Sequence, residues 1–168
     1  MPIRLIVMGI LMLINSGLAP QQPAVAGEGE DVRISGELVS FSIGYTHMTR
    51  FSAYSYSLTE RGGEILFSCY FFDADDQEVN LENIPVDPIY MVELREIAHR
   101  YGFTNIPRRI PRTTIPGLRD APMPSATITL LVDGGSGAPQ RESVWYDYHP
   151  HGSEEILELY RRLAEQYR

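Results

Sequence analysis

Two glycine-rich turns constrain most strongly what this chain can fold into. Tyr54, Tyr56 and Leu58 alternate with Ser55, Ser57 and Thr59, then Arg61-Gly62-Gly63 turns the chain into an apolar run from Glu64 to Phe72. Further on, Ile128, Leu130 and Val132 alternate with Thr127, Thr129 and Leu131, and Asp133-Gly134-Gly135-Ser136-Gly137 leads into a β-rich run from about Arg141 to Tyr148. Period-two alternation marks a strand with one buried face. Strands joined by turns this short pair antiparallel, because a parallel crossover needs a dozen or more residues.

A helical pattern stands behind each hairpin. Asp87-Pro88 supplies an N-cap and a first-turn proline, Tyr90, Leu94, Ile97, Ala98 and Tyr101 form an apolar stripe, and Gly102 ends it. Ser153 reads as the cap of a last helix striped by Ile156, Leu159, Tyr160, Leu163 and Tyr167, with Glu158 and Arg162 paired one turn apart. Residues from Val32 to Ile43 read as a leading strand with Gly36 as a possible bulge. Asp73, Asp75, Asp76 and Glu78 read as a charged loop, and the proline-rich residues 103–124 as an irregular connection. The expected fold is α+β, an antiparallel sheet of four to five strands with two helices packed on one face, in the order β-(ββα)-(ββα).

The start of the chain has a different grammar. Arg4, an apolar run from Leu5 to Leu18 and the tripeptide Ala24-Val25-Ala26 have the layout of a secretory signal peptide cleaved after Ala26. About 14 apolar residues fall short of the roughly 20 that span a bilayer, so an uncleaved anchor is the lesser reading. The chain then divides into a signal peptide (1–26), a flexible leader (27–31) and one domain (32–168), expected to be secreted or periplasmic.

Without residues 1–26, which hold one arginine and no acid, thirteen arginines face 22 carboxylates, a net charge of −9. Such a surface repels phosphate backbones and anionic headgroups, which argues against nucleic acid as a partner and against membrane contact other than through an uncleaved anchor. The lone Cys69 excludes an intrachain disulfide, so the core must hold the fold. Its neighbours from Ile65 to Phe72 are apolar on both strand faces, the setting of a buried, inert thiol.

The order of elements, with Gly44-Tyr45-Thr46-His47-Met48 and Tyr148-His149-Pro150-His151-Gly152, resembles uncharacterised small domains of exported bacterial proteins and lipoproteins. The resemblance implies this fold and this location. It implies no activity.

Three sets of residues bear on function. Asp147, His149 and His151 lie at i, i+2 and i+4, which in an extended chain projects them to one side as ligands for zinc, with His47 a further candidate. Arg108, Arg109, Arg112 and Arg119 make a basic loop suited to an acidic partner or an anionic wall polymer. The alternative for that loop is a solvated connector whose arginines pair with the domain's own carboxylates. Trp145 falls on the sheet face away from the helices, beside Thr127 and Thr129. There it suits stacking on a sugar or docking a partner, unless the leading strand or the long loop covers it as a second small core. The expected function is an exported noncatalytic domain that binds a protein or a cell-envelope polymer and needs no cofactor. The alternatives are a small metal-dependent hydrolase using Asp147, His149 and His151, with zinc as the metal, and a structural envelope component.

Overall fold

The computed structural model describes residues 32–46, 52–108, 123–135 and 137–168. In chain order the elements are β1 (Arg33–Ser35), β2 (Glu37–Thr46), β3 (Tyr54–Arg61), β4 (Glu64–Phe72), β5 (Glu78–Pro85), α1 (Ile89–Arg100), β6 (Asn105–Pro107), β7 (Met123–Asp133), β8 (Pro139–Tyr146) and α2 (Ser153–Tyr167). The fold is α+β, with two helices and an antiparallel sheet of six strands in the order β5-β4-β3-β2-β7-β8. A separate two-stranded sheet joins β1 to β6.

Period-two alternation builds the sheet where it was expected. Arg61 pairs with Glu64 across Gly62 and Gly63, whose φ values of 63° and 83° make a two-residue turn matched to the twist of a hairpin. The second hairpin pairs Asp133 with Pro139. β2 lies between the hairpins, bonded to β3 on one side and β7 on the other.

Three expectations are corrected, each by a pairing that local alternation does not record. The sheet has six strands rather than four to five, since the charged stretch after Asp73 turns back and becomes β5 on the far side of β4. The leading strand breaks at Gly36 into β1, which pairs with β6, and β2, which pairs with β3 and β7, and a Cβ at the break would stand 2.3 Å from the Leu131 carbonyl oxygen. The connection after Phe103 contains β6, which completes β1 through Ile34 opposite Ile106.

Both helices cover one face of the sheet. Phe41, Ile43, Leu58, Phe67, Ile128 and Leu130 project from it, and Met91 and Leu94 of α1 with Ile156, Leu159, Tyr160 and Leu163 of α2 cover them, all nearly or wholly buried. Ile34 and Ile106 belong to this same core. Tyr160 stacks on Tyr56 and donates its phenol to the Phe41 carbonyl at 2.6 Å, which ties α2 to the centre of the sheet.

The helix ends show how the sequence is used. Asp87 Oδ1 accepts the Ile89 N–H at 2.9 Å, as an N-cap should. At the other end of α1, the Phe103 N–H reaches Ala98 O at 2.8 Å and the Gly102 N–H reaches His99 O at 3.2 Å, a Schellman pair. Ser153 does not cap α2. Gly152 precedes that helix with φ 96°, and Ser153 is buried inside the first turn. Arg162 likewise pairs with Glu93 of α1 rather than with Glu158. Arg95 fixes α1 to the sheet, bonding the Leu38 carbonyl at 2.9 Å and the carboxylates of Glu60 at 2.6 Å and Glu37 at 3.0 Å. Among the described residues no helix is long and apolar enough to cross a membrane.

Candidate functional site

Alternation buries every second side chain under the helices and leaves the others on the opposite face. On the three central strands β3, β2 and β7 the outward set is Ser55, Ser57, Thr59, Ser40, Ser42, Gly44, Ser125, Thr127 and Thr129. Charged residues of the same parity, among them Arg61 of β3 and Glu37 of β2, stand at the strand ends.

The register aligns these residues in rows that cross the strands. One row runs Trp145, Thr127, Ser42, Ser57, Ser68 over five strands. At about 4.8 Å between strands it spans about 19 Å. The row on one side runs Ser143, Thr129, Ser40, Thr59, and its hydroxyls satisfy one another, Ser143 with Thr129 at 2.9 Å and Ser40 with Thr59 at 2.7 Å. In the Trp145 row, Ser68 accepts the Asn83 N–H at 2.9 Å, whereas Thr127, Ser42 and Ser57 make no hydrogen bond to described residues through their hydroxyls. The row on the other side has Gly44 between Ser125 and Ser55, followed by Tyr70, so its centre carries no side chain. The result is a shallow cavity of about 500 Å³ over the sheet, with outward hydroxyls from Ser42, Ser55, Ser57, Ser68, Ser125 and Thr127, and with Asn80 and Glu82 of β5 lining it as well.

Trp145 closes one end of this row and is 44 % exposed. The leading strand does not cover it, since β1 pairs with β6 and sends Ile34 into the main core. Val144 and Tyr146 face that core, as the alternation requires.

The other candidate residues are placed as follows. His149 lies with its Nε2 2.8 Å from the Gly44 carbonyl oxygen and its ring against Tyr54, while His151 meets the Tyr101 ring edge-on at 5.2 Å between centroids. The two imidazoles thus engage different elements, because Pro150 and Gly152 bend the chain out of the extended form in which i and i+2 share a side. Among the described residues no three His, Cys, Asp or Glu side chains gather as a metal-ligand group. Arg108 forks onto both carboxylate oxygens of Glu142 at 3.0 Å, so it is paired within the domain. Arg109, Arg112, Arg119 and His47 lie outside the described residues, as does the proposed signal peptide. Cys69 is buried at 3 % exposure, and that burial pushes its thiol up, partly offset by a backbone bond from Leu81.

The alternation had placed Thr127 and Thr129 beside Trp145. It missed Ser42, Ser57 and Ser68 as members of the same row, although Ser55, Ser57 and Thr59 were already visible as an outward set. No family model, no curated protein and no solved structure matches this chain.

Proposed function

We propose that this chain is a noncatalytic binding domain that works outside the cytoplasm and holds an uncharged cell-envelope polymer on the open face of its sheet. The observation that carries the reading is the row Trp145, Thr127, Ser42, Ser57, Ser68. An exposed indole offers a flat apolar surface with a polar handle, the combination that suits the apolar face of a sugar ring. The hydroxyls beside it both donate and accept, which matches the hydroxyls of a glycan without charge. A protein partner would more often be held by a central apolar or arginine anchor, and the middle of this face has neither. The elongated row favours a polymer strand lying across the β-strands over a compact ligand.

The test is retention of the purified domain on immobilised neutral polysaccharides and on purified peptidoglycan. Retention on at least one is expected, with little sensitivity to salt, since hydroxyls line the central rows and Glu82 is the one charged residue lining the cavity. Trp145→Ala and Thr127→Val should each weaken retention at least tenfold while leaving the melting temperature nearly unchanged. Retention that survives both substitutions would remove the open face from the account.

A further inference from the structure

A second cavity, of about 370 Å³, lies on the helix side of the sheet, at the end of α2 away from Gly152. Its floor is aromatic. Tyr54, Tyr56 and Phe71 line it, with ring centroids 5.7 Å apart from Tyr54 to Tyr56 and again from Tyr56 to Phe71. Tyr56 is only 7 % exposed. Neither the Tyr54 nor the Tyr56 phenol makes a hydrogen bond to described residues. Both residues line the cavity, so an acceptor entering it meets two phenol donors that no described residue occupies.

The charges around the cavity are arranged unevenly. Asp73 and Arg168 pair with each other, and Asp73 also accepts the backbone N–H groups of Asp75 and Gln77, both at 2.9 Å. That leaves Arg161 and Glu165, successive turns of α2, and no carboxylate among the described residues pairs with Arg161. Burial pushes the Tyr56 phenol up to about 12 and raises that of Tyr54, the Arg161 charge pulls both back down, and no carboxylate acts on either.

We propose that this cavity binds a small monocarboxylate with a flat apolar body, the body on Tyr54, Tyr56 and Phe71 and the carboxylate between Arg161 and the two phenols. The volume lies in the range of small-molecule sites, and the lining has their usual makeup of apolar walls with a few convergent polar groups. A planar guanidinium is the cation best shaped to hold a carboxylate by two parallel hydrogen bonds. The site is independent of the open face, which lies across the sheet.

The probes are 3-phenylpropionate, its neutral amide 3-phenylpropanamide, and the cation 2-phenylethylamine, titrated into the whole domain by calorimetry and by backbone amide shifts. The acid is expected to bind at least tenfold more tightly than the amide or the amine, with shifts centred on Ala53, Phe71 and Ala164. Arg161→Gln, at an exposed position, should weaken the acid at least tenfold without lowering the melting temperature. Tyr56→Phe should weaken it less, and Trp145→Ala should leave it unchanged. No binding of the acid at millimolar concentration, equal binding of the amide, preference for the amine, or full affinity in Arg161→Gln would overturn the proposal.

Discussion

The link into α2 gives a prediction whose size can be worked from two glycines. Gly62 and Gly152 both have positive φ, 63° and 96°, so an alanine at either position costs about 1–2 kcal/mol in backbone strain. They differ in what a side chain would meet. Nothing lies within 4 Å of a Cβ on Gly62, whereas one on Gly152 would stand 2.3 to 2.7 Å from three ring carbons of Tyr101. That ring cannot easily retreat, because its hydroxyl donates to Glu155 and its edge meets His151 at 5.2 Å. Forcing a methyl into such a contact costs about 1–3 kcal/mol more. Gly62→Ala should therefore lose about 1–2 kcal/mol and Gly152→Ala about 2–5 kcal/mol. At roughly 4 °C per kcal/mol for a domain of this size, the melting temperature should fall by about 4–8 °C in the first and about 8–20 °C in the second. Urea unfolding followed by circular dichroism measures both. Equal losses in the two variants, within about 0.5 kcal/mol, would refute the claim that Tyr101 holds the entry to α2.

Two further perturbations follow from single residues. Cys69→Ser should lose about 1–3 kcal/mol in chemical denaturation while Cys69→Ala loses less, because a hydroxyl in this apolar setting needs a partner the thiol does not; fast labelling of native Cys69 by a thiol reagent would count against that. The Asp73 carboxyl should titrate below its ordinary value, held down first by the Gln77 backbone N–H, then by that of Asp75 and by the Arg168 charge. Because its folded-state pKa is lowered, its contribution is present above the ordinary carboxylate range and lost as pH falls through the folded value. Carbon-detected titration checks the midpoint, and Asp73→Asn should flatten the acid limb of the stability curve.

How much of this was legible in the residues depended on the distance over which each element is decided. The two hairpins and the two helix stripes are written in local periodicity, so Tyr56, Leu58, Leu94 and Leu159 fell on the right faces. β5 was not legible, because Asp73, Asp75, Asp76 and Glu78 read as a charged loop, Asn80 and Glu82 continue the polar pattern, and the register shifts where Asn83 takes φ 51°. It is a strand only because β4 offers it a free edge, and its outward charges suit an edge strand. β1 and β6, three residues each, exist through a pairing across about seventy residues that no local pattern records. The Trp145 row has the same origin. Alternation tells which side chains face outward, but only the pairing of β2 with β7, with its shift between Leu38 and Ser40, sets Ser42 beside Thr127 and so beside Trp145. The divergence of His149 and His151 depends on the bend at Pro150 and Gly152, which spacing alone treats as extended chain.

Trp145 is the chain's only tryptophan, so its fluorescence reports on the open face alone. The most direct measurement is a titration of that emission with soluble oligosaccharides from whichever polymer retains the domain, alongside quenching by acrylamide. The account predicts a solvent-exposed emission maximum in the free protein, a saturable blue shift on adding oligosaccharide, protection from acrylamide in the complex, and loss of the latter two responses in Thr127→Val at the same ligand concentration. An emission already blue-shifted and shielded in the free protein, or retention on the polymer with no change at Trp145, would contradict it.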